Sequence, residues 1–126
     1  TNTQFGVPIT WEFANNGQIT LYNGDASIII GSSNITNFSS VTSMQYSQLT
    51  GNSVANFVLS SFNPSQNQLT AEANYNDNGT KMYMKQYMVN AGNISLVFTL
   101  TVPSSSMNNS LSAIFDTVTG YYQYWG

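Results

Sequence analysis

Between Ile94 and Val102 the chain alternates without a break. Ile94, Leu96, Phe98, Leu100 and Val102 fall on one side, and Ser95, Val97, Thr99 and Thr101 on the other. A period of two belongs to a strand with one face against a core; a helix repeats every 3.6 residues and would scatter those apolar positions around its axis. The same alternation surrounds Ile9, Trp11 and Phe13, with Thr10 and Glu12 opposite, and Ile19 and Leu21, with Thr20 and Tyr22 opposite. Further β-rich runs lie at 26–30, 41–49, 54–60, 68–75, 80–89, 109–118 and 120–125.

Turn chemistry separates these runs. Asn15-Asn16-Gly17, Asn23-Gly24-Asp25 and Asn76 through Gly79 offer the residues that tolerate the positive φ of hairpin loops. Gly51-Asn52, Asn63-Pro64-Ser65, Ala91 through Asn93 and Pro103 through Ser106 mark other reversals, and 31–43 is the most loop-like stretch. Seven to nine short strands at this spacing predict an all-β domain, an immunoglobulin-like antiparallel sandwich, spanning residues 1–126 as one unit. No segment demands a helix; 108–115 is the best place for a short one.

The chemistry open to such a domain is limited by what it lacks. There is no cysteine, histidine or arginine, which removes disulfides, thiolate or imidazole metal sites and histidine-based triads. The charged residues are Glu12, Asp25, Glu72, Asp77 and Asp116 against Lys81 and Lys85, and 55 of the 126 residues are Asn, Gln, Ser or Thr. Two cations cannot build the basic surface that nucleic acid requires. Protonating all five acids moves the side-chain charge only from -3 to +2, so acid creates little self-repulsion. That points to a protein of an acidic or poorly controlled exterior. The Asn-x-Ser/Thr sequons at Asn34, Asn37, Asn78, Asn93 and Asn108 are compatible with glycosylation there, although an Asn- and Ser-rich chain produces sequons by chance. No apolar run is long enough to span a bilayer, and a chain that begins at Thr1 reads as a processed product, any membrane anchor lying before it.

Several segments were weighed for chemistry. Asn74 through Gly79 partly matches a calcium loop, but the twelfth position is Lys85 and the first is not Asp, so a hairpin turn is the better reading. Glu12 and Glu72 are strand-borne acids of the type a glycosidase pairs, with nothing to bring them together. A Ser–Lys arrangement through Lys81 or Lys85 is formally open. No metal or cofactor is expected, and no enzymatic activity.

Binding surfaces are the better prospect. In 80–89, Lys81, Tyr83, Lys85 and Tyr87 share one face and Met82, Met84, Gln86 and Met88 the other. With the methionines in the core, a Lys–Tyr–Lys–Tyr stripe lies outside, suited to a partner or, as lysine on an edge strand, to deterring aggregation. Tyr122 and Tyr124 share one face of an aromatic tail, opposite Tyr121, Gln123 and Trp125. Ile28-Ile29-Ile30 is buried on both faces or leaves Ile29 at an interface.

A cysteine-free, charge-poor, Asn/Ser/Thr/Tyr-rich sandwich resembles the soluble domains of archaeal surface proteins, namely the archaellum accessory proteins FlaF and FlaG and the globular domains of type IV pilins. That resemblance implies a non-catalytic, extracytoplasmic anchoring domain of a motility apparatus that binds a surface-layer protein, self-associates as a dimer, and reaches the membrane only through a missing N-terminal helix. The alternatives are a filament subunit and a carbohydrate-binding module using Trp11, Trp125 or the tyrosines.

Overall fold

In the computed structural model, the backbone is described for residues 2–4, 12–15, 19–46, 57–120 and 123–125, and side chains for 23–46, 57–116 and 119. The strands are β1 (Asn2–Gln4), β2 (Glu12–Asn15), β3 (Ile19–Asn23), β4 (Ala26–Ser33), β5 (Val58–Pro64), β6 (Gln68–Asp77), β7 (Thr80–Asn90), β8 (Ser95–Pro103) and β9 (Gln123–Trp125). A helix, α1, spans Asn109–Gly120. Strands β2 to β8 form one antiparallel sheet in the order β2-β3-β4-β8-β7-β6-β5, and β1 pairs with β9.

Hairpins form where the turn residues promised them. Gly24, at φ +60, takes the first loop position between Asn23 and Ala26, where a II′ hairpin places its positive φ. Asn78 and Gly79, at φ 51 and 85, both adopt the left-handed conformation between Asp77 and Thr80, as a I′ turn requires. Asn74 through Gly79 is therefore a strand end and its turn, and no metal-ligating cluster occurs among the described residues. The loop 16–18 lies outside the described residues, although Asn15 pairs with Ile19 as the predicted hairpin requires.

The sandwich expectation is corrected. The chain is mostly β, but β2 to β8 lie side by side in one sheet rather than in two stacked ones, and each face of that sheet is covered differently. On the first face, Ile28, Ile30, Val89, Leu96, Phe98, Leu100 and Val102 pack with Phe115 of α1. On the second, Leu69, Ala71, Ala73, Met84 and Met88 pack beneath Phe38 and Tyr46 from the β4–β5 connection. The registers explain this division: Phe98 pairs with Ile30 and Tyr87, and Val97 with Gly31 and Met88, so neighbours in β8 serve opposite cores.

Two predicted strands are helical, for local reasons. At 109–118 the apolar positions Leu111, Ile114 and Phe115 have helical spacing, and Asn108 caps α1 by accepting the Leu111 N–H at 3.0 Å. At 41–49, residues 43–46 are helical. Thr42 and Gln45 cap each other there: the Thr42 N–H donates to Gln45 Oε1 at 3.0 Å and the Gln45 N–H to Thr42 Oγ1 at 3.2 Å. This turn delivers Tyr46 to the second face. Tyr46 Oη donates to Gln86 Oε1 at 2.8 Å, and Gln86 Nε2 donates to Thr99 Oγ1 at 2.8 Å, which satisfies a buried amide in an otherwise apolar layer. Ser95 Oγ, donating to the Ile35 carbonyl at 2.7 Å, and Asn90 Nδ2, donating to the Thr36 carbonyl at 2.8 Å, tie the connection to the sheet.

Candidate functional site

The polar residues that the first core does not absorb meet beside α1. Ser112, Asp116 and Thr119 recur at helical spacing along α1, next to the Phe115 anchor. Opposite them, β6 and β7 pair Glu72 with Lys85 and Thr70 with Tyr87. With Ser61 and Asn63 of β5, all of these but Ser112 line a cleft of about 330 Å³. A bulge between Leu59 and Ser61 turns β5 here, and Ser60 Oγ donates to the Glu72 carbonyl at 3.0 Å.

Lys85 is the centre of the cleft. Its Nζ lies 3.2 Å from Asp116 Oδ1 and 3.2 Å from Ser112 Oγ, and 5.7 Å from the centre of the Phe115 ring. Lys85 is 20% exposed and Asp116 66%. The pair is therefore screened by water on one side and contributes about 0–1 kcal/mol. On the adjoining pair of strands, Tyr83 Oη donates to Glu72 Oε2 at 2.6 Å, a short charge-assisted bond. Burial first, and then the Glu72 carboxylate, push the Tyr83 phenol well above its usual range, so it stays protonated as a donor.

The Ser–Lys arrangement left open by the sequence is present in geometry, as Ser112 with Lys85. Hydrolases of that type use an uncharged amine to take the serine proton. Here the same nitrogen is also ion-paired with the Asp116 carboxylate at 3.2 Å. The acid pair fares worse. Glu12 on β2 and Glu72 on β6 are five strand steps apart, about 24 Å along the sheet, against the roughly 5–9.5 Å that glycoside hydrolysis uses.

The predicted stripe on β7 is partly relocated. Met84 and Met88 are buried, as expected, and Lys81 is exposed. Tyr83, Lys85 and Tyr87 are half-buried and face α1 rather than open solvent, because the first face of the sheet is covered by a helix that the strand pattern did not foresee. Ile29 is half-buried on the second face, paired with Thr20 and Thr99. Tyr124 pairs in the backbone with Thr3; its side chain, Tyr122, and the tryptophans Trp11 and Trp125 as a sugar platform lie outside the described side chains. All five sequon asparagines, Asn34, Asn37, Asn78, Asn93 and Asn108, are exposed. Three of them have a structural duty: Asn108 caps α1, Asn37 Oδ1 accepts the Ser39 N–H at 3.2 Å, and Asn78 takes a left-handed turn position.

No family description and no curated protein matches this sequence. Its fold does have solved counterparts. The yeast (Saccharomyces cerevisiae) Ran-binding protein Mog1p superposes with a TM-score of 0.65 at 10% identity, over 96% of this chain and 89% of that one. LpqN of Mycobacterium tuberculosis, described as involved in cell envelope biogenesis, gives 0.58 at 12% identity over 96% and 82%. A Pseudomonas aeruginosa protein described as a putative regulator gives 0.55 at 14% identity over 91% and 76%. The chain has the Mog1-like fold.

This finding overturns the archaeal resemblance. Composition and strand pattern suit many β-rich folds, whereas the solved structures this fold superposes on include Mog1p and LpqN, not FlaF, FlaG or pilin domains. The anchoring role and the filament alternative fall with it, and the fold lends no support to a surface-layer partner or to a dimer. The extracytoplasmic placement is corrected too, since a fold shared with a Ran-binding protein is not one tied to the cell exterior. No helix among the described residues is long and apolar enough to cross a membrane.

Proposed function

We propose that the chain is a non-catalytic protein-binding module of the Mog1 type, with the cleft beside α1 as its partner surface. One observation carries this reading: of seven charged side chains in the whole sequence, three (Glu72, Lys85 and Asp116) converge on a single cleft. A chain that has given up nearly all its charge and keeps these together, partly desolvated, has placed them where a partner meets them. Two acids against one lysine leave the cleft net negative, and the exposed Asp116 carboxylate is its accessible edge. The fitting counterpart is a lysine or arginine presented by a protein surface. The Ran-binding activity of a fold neighbour agrees with a protein ligand. The test is calorimetric titration with Ran. Saturable binding is expected, weakened tenfold or more by Asp116→Asn and by Glu72→Gln, with stability changed by no more than about 1 kcal/mol in Asp116→Asn. Absence of saturable binding, or binding that both substitutions leave intact, overturns the proposal.

A further inference from the structure

The second face of the sheet holds a cavity of about 180 Å³, walled by Phe38, Leu69, Met88 and Val97 and roofed by the β4–β5 connection. Polar atoms reach it from three residues, and each has its hydrogen bonds within the protein. Tyr46 Oη donates to Gln86 Oε1, Gln86 Nε2 donates to Thr99 Oγ1, and Ser33 Oγ accepts the Ile35 N–H at 3.2 Å. A water molecule is retained in a cavity by two to four polar partners, whereas this wall is mostly apolar and its few polar side chains each bond within the protein. No charged side chain lines it, so an ionised ligand would be stripped of water without a partner. Enclosed apolar cavities of roughly 150 Å³ hold benzene or xenon; this one is of similar volume and partly open to solvent. Met88, unbranched and polarizable, can adjust to the shape of a ring.

We propose that this cavity is a binding site for a small uncharged apolar molecule, an aromatic ring or a compact aliphatic of about six to eight heavy atoms. The sheet separates the site from the cleft beside α1, and Gln86 of β7 borders both.

The experiment uses the full chain with benzene as probe and benzoate as its charged counterpart. Benzene is expected to raise the unfolding midpoint by roughly 5 °C at ten times its dissociation constant. Amide shift changes on titration should concentrate at Val41, Leu69, Met88 and Val97. Benzoate should bind at least tenfold more weakly. Val97→Phe, which fills the space, should abolish both effects; if that variant does not fold, Val41→Phe at the roof serves the same purpose. The proposal is overturned if benzene near its solubility limit leaves both the midpoint and those amides unchanged, if the shifts fall elsewhere, or if benzoate binds equally well.

Discussion

Tyr46→Phe removes one oxygen atom and tests how the second core is held together. Tyr46 is 2% exposed and Gln86 8%, and their 2.8 Å bond links the β4–β5 connection to the middle of β7. Phenylalanine keeps the ring, including its contact with Phe62 at 5.5 Å between centroids, so packing changes little. What changes is that Gln86 Oε1 loses a donor inside an apolar layer. An unsatisfied buried acceptor costs about 1–3 kcal/mol, more than the net worth of the bond itself. For a domain of this size that lowers the unfolding midpoint by roughly 4–10 °C. Gln86→Leu should cost a similar amount for the converse reason. The double variant Tyr46→Phe/Gln86→Leu should cost clearly less than the two singles together, because it replaces both partners with apolar groups. Urea unfolding of the four proteins gives the cycle. A Tyr46→Phe within about 0.5 kcal/mol of the parent, or strictly additive singles, would refute the reasoning.

Other outcomes follow from the same structure. Phe115→Ala should cost about 3–5 kcal/mol, since this ring seats α1 on the first face and is 1% exposed; calorimetry showing a change below about 1 kcal/mol would mean the helix is not docked there. Stability should fall in alkali. Burial raises the phenols of Tyr46 and Tyr83, the latter also through Glu72. Above about pH 10 the unfolded chain gives up protons that the folded chain retains, so unfolding is favoured as pH rises. Tyr46→Phe should flatten that decline, as followed by denaturant midpoints between pH 8 and 11. In acid the opposite holds: with five carboxylates and no histidine, the thermal midpoints at pH 3 and pH 7 should differ little, and a collapse by tens of degrees would contradict this.

The legible part of the fold was the part governed by nearest-neighbour chemistry. Alternation in 94–102 located β8 and its buried face, and Asn-Gly pairs located hairpins, because both depend only on residues adjacent in sequence. Strand order was not legible, since the pairing of β4 with β8 joins residues some seventy positions apart and no local signal states it. The helices were partly legible. Thr42-Ser43-Met44-Gln45 is a capping box that marks the turn delivering Tyr46, and Asn108 followed by Leu111, Ile114 and Phe115 marks α1. The short helix expected at 108–115 is α1, but counting the same residues, and 41–49, among the β-rich runs hid the covers of the sheet, and a sheet without covers suggests a second sheet. The cleft was half visible. Tyr83, Lys85 and Tyr87 were singled out on β7, but Glu72 belongs to another strand and Asp116 to a helix, and only the tertiary fold brings them within reach.

The most direct test of the central claim is a map of backbone amide shifts in the chain as Ran is added. A binding face beside α1 predicts that changes concentrate at Ser61, Asn63, Glu72, Lys85 and Asp116 and fade in Asp116→Asn. Changes centred instead on the far side of the sheet, around Ile35, Val41 and Val97, or an undisturbed spectrum at saturating Ran, would contradict it.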